Sequence, residues 1–228
     1  MHFTKTHPVV SAILSTLVAL PLIFSAFFLF EPAVVIGQVT DEFTVTQTID
    51  QQIAFTATTS PVTMSDTLGG LTGGDSTGDT GFAVATNAPG GYTVTIQFAS
   101  STAMISNEDS SFFISNQETV TFNLNIPSDG GTSRFAYTVV GDHVVDTFRE
   151  SGSACNEESG ATTATNCWFM GSDASSAFTI VDRDSPTAGS GDAADLYFRV
   201  VVPTDPNPAL IDGTYTATAT LTAAVKMP

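Results

Sequence analysis

An alternating pattern near the C-terminus constrains the fold more than any other feature of this chain. It runs Gly213-Thr-Tyr-Thr-Ala-Thr-Ala-Thr-Leu-Thr-Ala-Ala-Val225, with threonine at most of the places between the apolar residues. A period of two is typical of a β-strand with one face on a core and the other in water. The residues predicted to face the core are Tyr215, Ala217, Ala219, Leu221, Ala223 and Val225.

The same alternation recurs along most of the chain and predicts an all-β protein. Examples are Val120–Ile126, which ends at Pro127, and Leu196–Val202. Short strands at hairpin-like spacing, with no helical period after residue 37, favour an antiparallel β-sandwich. We therefore predict an immunoglobulin-like or jelly-roll-like Greek key, preceded by an N-terminal hydrophobic helix.

Two connections in this pattern have clear sequence signals. Asn87-Ala-Pro-Gly-Gly91 separates two alternating runs, Phe82–Thr86 and Tyr92–Phe98, and predicts a hairpin between them. Gly69–Gly81 is rich in glycine and aspartate and has no apolar period, so it is predicted to be a surface loop.

The N-terminal segment predicts export from the cytoplasm. Val9–Phe30 is an almost unbroken apolar run, and Lys5 precedes it. A charged start followed by an apolar run is typical of a secretory signal, although this run is also long enough to span a bilayer as a helix. Residues 1–37 are therefore predicted to be a signal peptide, cleaved after Gly37, or a retained membrane anchor. Residues 38–228 are predicted to form one domain outside the cytoplasm, with a decorated insertion at about 141–192.

The acidic net charge of the chain excludes two classes of binding partner. The chain has a formal net charge of −17, with 6 lysine and arginine residues against 23 aspartate and glutamate residues. Nucleic acid needs a basic footprint, and anionic lipid attracts basic segments, so neither is an expected partner of the exported part. Membrane contact is expected only through the N-terminal segment, if it is not cleaved.

The two cysteines predict a disulfide. Cys155 and Cys167 enclose a polar loop, and an oxidising compartment outside the cell would join them. Zinc is the competing interpretation, but it requires four ligands, and His143 is the one histidine after residue 37 that could join them.

Acidic residues on glycine-containing segments suggest a calcium site. Hard cations prefer clusters of oxygen ligands. The candidate ligands are Asp75, Asp79, Asp182 and Asp184. Solvated acidic loops are the alternative interpretation, because these segments lack the spacing of an EF-hand or of a calcium β-roll. No other cofactor is predicted.

No catalytic site is predicted. A Ser-His-Asp site would have to use His143, which lies between Asp142 and Asp146, and no Gly-x-Ser-x-Gly motif is present. Glycan binding would need exposed aromatic side chains. Trp168 directly follows Cys167, and we expect it to pack on the disulfide rather than to form a binding platform.

Three segments carry a resemblance to known proteins. They are Val62-Thr-Met-Ser65, Phe82-Ala-Val-Ala-Thr-Asn-Ala-Pro-Gly-Gly-Tyr-Thr-Val-Thr-Ile96 and Gly213-Thr-Tyr-Thr-Ala-Thr-Ala-Thr-Leu221. The chain resembles small exported β-sandwich proteins of bacterial surfaces, a set that includes spore-coat-protein-U-like, camelysin/TasA-like and WxL-type domains. The Trp-x-Leu pair of the WxL pattern is absent. The resemblance implies a structural or surface-assembly role, in some relatives as filament subunits, without catalytic residues.

These observations predict a secreted or surface-anchored structural protein that is not an enzyme. It would self-associate into an envelope layer, coat, fimbria or matrix filament through strand edges, since an unpaired edge can pair with another chain. Glu42–Ile49 is predicted to be an exposed strand and the donor for assembly, with Phe43, Val45 and Ile49 on one face. The alternative is an extracellular binding or adhesion module for a glycan or host ligand, with calcium as an optional ligand.

Overall fold

The computed structural model describes residues 40–227. The chain divides into two units, Met1–Thr48 and Ile49–Pro228. Of the first unit only residues 40–48 are described, so the predicted signal or anchor at 1–37 lies outside the described residues. The predicted strand Glu42–Ile49 is wrong for the single chain, because residues 40–52 form no hydrogen-bonded strand.

The described residues form strands joined by turns and loops, with a 3-10 turn at Asp146–Phe148 and no α-helix. The strands are β1 (Ile53–Ala57), β2 (Gly74–Thr86), β3 (Tyr92–Phe98), β4 (Met104–Ser106), β5 (Phe113–Asn116), β6 (Arg134–Gly141), β7 (Arg149–Ser151), β8 (Ala154–Cys155), β9 (Ala161–Thr162), β10 (Phe178–Arg183), β11 (Asp192–Val202), β12 (Tyr215–Ala217) and β13 (Ala219–Val225). The predicted all-β class is confirmed for this part of the chain.

The strands form three sheets. The large sheet has the order β1-β2-β11-β6-β5-β4-β12, a second sheet has the order β10-β3-β13, and a small sheet has the order β8-β7-β9. All pairs are antiparallel except β5 with β6, which are parallel. The large sheet is therefore mixed rather than purely antiparallel.

The predicted hairpin around Asn87–Gly91 is wrong. β2 pairs with β1 and β11, whereas β3 pairs with β10 and β13 in the second sheet. The Pro-Gly-Gly sequence instead makes a corner between sheets. Gly91 has φ +76°, and a Cβ there would lie 2.0 Å from the carbonyl oxygen of Arg183. The backbone of β10 thus approaches too closely for any other residue, and this contact fixes β3 beside β10.

The predicted loop Gly69–Gly81 is also wrong in its second half. From Gly74 onward the chain is the 13-residue strand β2, which pairs with β11 in unbroken register from Gly74–Val202 to Val84–Asp192. Two of its glycines lie where a neighbouring residue leaves no space for a side chain. A Cβ at Gly78 would lie 2.6 Å from Val62 Cγ1, and one at Gly81 would lie 2.5 Å from the Asp195 carboxylate.

One apolar cluster joins the two larger sheets. Phe98 of β3 packs edge-on against Phe135 of β6, with ring centroids 6.2 Å apart. Phe135 stacks on Phe198 of β11 at 6.1 Å, and Phe148 lies 5.3 Å from Tyr137. Each of these side chains is less than one-tenth exposed. The alternation predicted for β3 and β11 therefore agrees with the structure.

A second, smaller cluster contains Leu124, Ala136, Trp168 and Val201, all buried. Leu124 comes from Val120–Ile126, which was predicted to be a strand. That prediction is wrong, because only Thr121 forms an isolated bridge there, with Trp168.

The disulfide closes beside this cluster. Cys155 and Cys167 are bonded, with their Cα atoms 5.6 Å apart, so the predicted pairing is confirmed. Trp168 is 2 % exposed, and its indole nitrogen donates to the carbonyl oxygen of Thr165 at 2.8 Å.

Candidate functional site: an apolar groove and an exposed arm

An exposed extended segment precedes β1; we call residues 42–49 the arm. Phe43, Val45 and Ile49 are 85 %, 82 % and 81 % exposed. These are the three residues that the sequence placed on one face of a donor strand. Large apolar side chains with so little cover are unusual on a folded protein and mark surfaces that other molecules contact. The arm is therefore a candidate contact segment in its own right.

A cavity of about 900 Å³ lies between the segment after β1 and the C-terminal strands, and we call it the groove. One wall is residues 59–64, and the other is residues 214–221 of β12, β13 and the residues that join them. The floor is apolar and comes from both larger sheets, through Ile96, Phe98, Met104, Phe135, Leu196 and Phe198. No charged residue lines it, in a chain whose net charge is −17.

The first wall is held to β2 at two points. Ser60 N donates to Thr80 Oγ1 at 2.9 Å, and Ser65 N donates to the carbonyl oxygen of Thr77 at 2.8 Å. Val62 and Met64 lie over Gly78, where β2 has no side chain to displace them. This segment runs alongside β2 without forming a continuous ladder of backbone hydrogen bonds with it.

The second wall is the alternating C-terminal stretch, which changes sheets. Its first part, β12, pairs with β4 at one end of the large sheet, and its second part, β13, pairs with β3 at one end of the second sheet. The crossing is at Thr218, whose carbonyl oxygen accepts from Ala99 N at 2.9 Å. Each part is hydrogen-bonded to another strand along one side only, and β13 also lies close to β1.

The apolar face of this stretch is less covered than the sequence predicts. Its alternation is present, but Tyr215, Ala217, Leu221, Ala223 and Val225 are only partly buried, and Ala219 is exposed. The inward faces of β3 and β6, by contrast, are buried. The C-terminal strand thus has the pattern of a core strand, with the groove where an opposing layer would lie.

A second cavity of about 560 Å³ adjoins the groove. The two share Met64, Met104, Thr214 and Tyr215, and the second one extends between residues 66–71 and 210–213. Tyr215 fixes that end, because its hydroxyl bonds to the backbone of Ile211.

Three of the four predicted calcium ligands lie in ion pairs, at two separate places. Asp75 accepts from Arg199 at 2.9 Å on the large sheet, and Asp182 accepts from Lys226 at 2.6 Å on the second sheet. Asp184 also bonds to Lys226, and this hydrogen bond, reinforced by the ammonium charge, lowers the pKa of the Asp184 carboxyl.

Asp79 lies on β2, four residues beyond Asp75. Between residues 40 and 227, no group of three or more acidic, histidine or cysteine side chains is placed to hold a metal ion. The calcium hypothesis therefore gains no support from the geometry.

His143 lies in a polar cluster rather than beside a nucleophile. Its Nε2 is 2.8 Å from a guanidinium nitrogen of Arg183, and that same nitrogen donates to the Asp192 carboxylate at 2.6 Å. Tyr92 donates to the same carboxylate at 3.3 Å. Burial, reinforced by Asp192, raises the pKa of Tyr92 to about 12. These contacts account for the cluster as a structural ion-pair network.

Comparison with protein-family models and with curated proteins found no match. Within the described residues, no helix has the length and apolar character needed to cross a bilayer. The resemblance to bacterial surface proteins therefore rests on the three sequence segments alone.

Sequence reasoning identified the arm but missed the groove. The groove depends on wall residues 59–64, which have no strand period, and on the sheet change at Thr218. One available signal was the C-terminal stretch, whose apolar positions include three small alanines at Ala217, Ala219 and Ala223. Small side chains leave space on a strand face that larger ones would fill.

Proposed function

We propose that this chain is a secreted or surface-anchored, non-enzymatic structural subunit that self-associates through strand edges. The observation that carries the proposal is the arm, whose Phe43, Val45 and Ile49 are each more than four-fifths exposed on a segment without a strand partner among the described residues. Burying three such side chains between copies favours association, at about 1.5–3 kcal/mol for each before ordering costs.

Other features support the same proposal. A disulfide is compatible with an oxidising compartment outside the cytoplasm, as is the apolar leader in the sequence. We interpret the two larger sheets as a Greek-key sandwich, and the free edges of the sheets as its assembly surfaces. The alternative of a glycan-binding module gains no aromatic platform from Trp168, which is buried.

Electron microscopy and light scattering of the purified protein, after expression of the full-length chain, test this proposal. We expect concentration-dependent oligomers or filaments. Val45→Asp should suppress them, because it places a charge on the apolar face of the arm. Thr46→Asp is the matched control, since it adds the same charge to the opposite face. Strictly monomeric particles at all concentrations, with and without calcium, would rule the proposal out.

A further inference from the structure

The backbone of residues 40–49 forms no hydrogen bond with any other described part of the chain. Every residue of this stretch is exposed, and the hydrogen bond from the Gln47 side chain to the carbonyl oxygen of Thr48 is local. Exposed segments of this kind are the preferred places for proteolytic cleavage. A protease binds its substrate as an extended strand through the substrate's own backbone groups. Residues 40–49 can therefore enter a protease cleft without any unfolding of the protein.

The freely accessible stretch ends at Asp50, where the chain becomes attached to the sheet. The Asn87 side chain accepts from Gln52 N at 2.7 Å and donates to the carbonyl oxygen of Asp50 at 2.8 Å. Thr86 Oγ1 donates to the carbonyl oxygen of Gln52 at 2.7 Å. The first described residue that packs against the apolar core is Ile53. Hydrolysis at a bond before Asp50 therefore leaves the described core contacts in place.

The side chains of the arm select the class of protease. The sequence has no lysine or arginine between Lys5 and Arg134, so a protease with an acidic specificity pocket has no site in the arm. Phe43 is 85 % exposed, and a hydrophobic specificity pocket accepts such a ring. Residues 40–47, which include both sides of the Phe43–Thr44 bond, are all exposed. The arm therefore fits a protease that cleaves after aromatic side chains.

Other exposed apolar side chains of the described residues are less suitable sites. Leu71 is 76 % exposed, but its carbonyl oxygen accepts a backbone hydrogen bond at 3.0 Å. Phe113 lies in β5, which is paired with β4. Ile126 and Met227 each precede a proline in the sequence, and the missing N–H and rigid ring of proline hinder hydrolysis of the preceding bond. Phe43 thus combines an exposed aromatic ring with a freely accessible backbone.

We propose that the Phe43–Thr44 peptide bond is a processing site for an extracellular protease with a hydrophobic specificity pocket. Water adds across the C–N bond. Its hydroxyl goes to the carbonyl carbon of Phe43, which becomes a carboxylate, and the nitrogen of Thr44 takes up the protons and becomes a new amino terminus. The cut separates residues 1–43 from the folded residues 44–228. In a chain held in the membrane by its apolar leader, this cut releases the folded part, a consequence that rests on the surface-anchored form of the proposed function.

Limited proteolysis of the purified full-length chain, followed by mass spectrometry, tests the site. We expect chymotrypsin to cut after Phe43 about 100-fold faster than at any bond between residues 50 and 227, because those bonds require local opening of the fold. Trypsin is the control protease, since its sites beyond residue 40 are confined to the folded part. The product 44–228 should have the same thermal melt by circular dichroism as the uncut protein.

Two proline variants test whether this particular bond is the one that is cut. Thr44→Pro places proline directly after Phe43 and should abolish the product 44–228, because proline lacks the N–H and its ring obstructs the bond. Thr46→Pro is the matched control, with the same substitution two residues further along, and should still be cut after Phe43. Both positions lie before Asp50, so neither variant should change the thermal melt.

Phosphatidylcholine vesicles carrying the full-length chain separate this inference from the proposed function. We expect chymotrypsin to move the folded part of the wild type into the supernatant, while Thr44→Pro stays with the sedimented vesicles. If cleavage starts between residues 50 and 227, or if Thr44→Pro is cut after Phe43 like the wild type, the processing site is overturned. If the wild type is cut after Phe43 but does not sediment with the vesicles beforehand, the processing site stands and the surface-anchored form of the proposed function is overturned.

Discussion

Two ends of β3 show how one alternating pattern can give a closed or an open interior. At its first residue, Tyr92 is 1 % exposed and its hydroxyl joins the Arg183–Asp192 pair, which closes that end with polar contacts. Further along, Ile96 and Phe98 border the groove, where the opposite wall is only partly buried. The two ends differ in the elements that surround β3 rather than in the strand itself. Inward residues are buried only where another element packs over them.

Another fully buried region lies around Phe148 and is aromatic. Its aromatic cluster places Phe148 between Tyr137 and Phe178, with centroid distances of 5.3 and 6.1 Å. The wall of the groove formed by residues 214–221 instead consists mainly of threonine and alanine. Packed aromatic contacts stabilise a fold, whereas a neutral, half-covered face can gain stability from a partner. We therefore expect substitutions in the buried aromatic region to affect folding, and substitutions in the groove wall to affect association.

Phe148→Ala should give the largest loss of stability. The side chain is fully buried, so its removal leaves a cavity and lowers the unfolding free energy by about 3–5 kcal/mol. Leu221→Ala, in the partly buried groove wall, should cost only about 1 kcal/mol in the monomer, because the groove already borders that side chain. Urea unfolding followed by far-UV circular dichroism measures both. Equal losses would contradict an open groove.

Loss of the disulfide should have the next largest effect. Cys155 and Cys167 are separated by 12 positions, and opening a loop of this size lowers stability by roughly 3 kcal/mol in the chain-entropy model. Cys155→Ser with Cys167→Ser, compared with the wild type in urea, measures it. The double variant itself should be insensitive to reductant. If reduction leaves the wild type as stable as before, the loop does not depend on this bond.

The fold class could be predicted from the sequence because its signal is local. Alternation within β3 and β11 correctly identifies their inward faces, and the cysteine pair follows from composition and spacing. Both inferences use residues close together in the chain, or chemistry that depends little on the fold.

Strand pairing could not be predicted in the same way. The turn at Asn87–Gly91 has the composition of a hairpin, but β10, some ninety residues later, determines where β3 pairs. Likewise, Gly78 and Gly81 look like loop residues until the structure shows Val62 and Asp195 against them. A glycine that accommodates a close neighbour has the same sequence signal as one that turns the chain.

Removing the charge of Arg183 should lower the stability of the protein more than removing the charge of the more exposed Arg199. The Arg183 and Asp192 side chains are 16 % and 18 % exposed, against 25 % and 41 % for Arg199 and Asp75. Arg183→Gln should therefore lower the unfolding free energy by about 2 kcal/mol, since it leaves Asp192 poorly paired. Arg199→Gln is the control and should cost about 1 kcal/mol or less. Arg183→Gln should remain the more destabilising of the two variants in 0.5 M salt. A reversed order would show that the ion pair at the closed end contributes little to stability.

The smallest predicted effect is a pH dependence at Tyr92. Its pKa is raised from 10.0 to about 12, mainly by burial and then by Asp192, so the folded state holds this proton more tightly than the unfolded state. The resulting stabilisation is fully present below pH 10 and is lost as the pH rises from 10 to 12. Tyr92→Phe lacks this titration. We expect the unfolding free energy of the wild type to exceed that of Tyr92→Phe at pH 8, and the difference to shrink above pH 10. Absorbance at 295 nm should show one tyrosine fewer titrating near pH 12 in the variant. A constant difference between pH 8 and pH 12 would mean that Tyr92 ionises without disturbing the Arg183–Asp192 pair, and the closed end would then be no tighter than the groove.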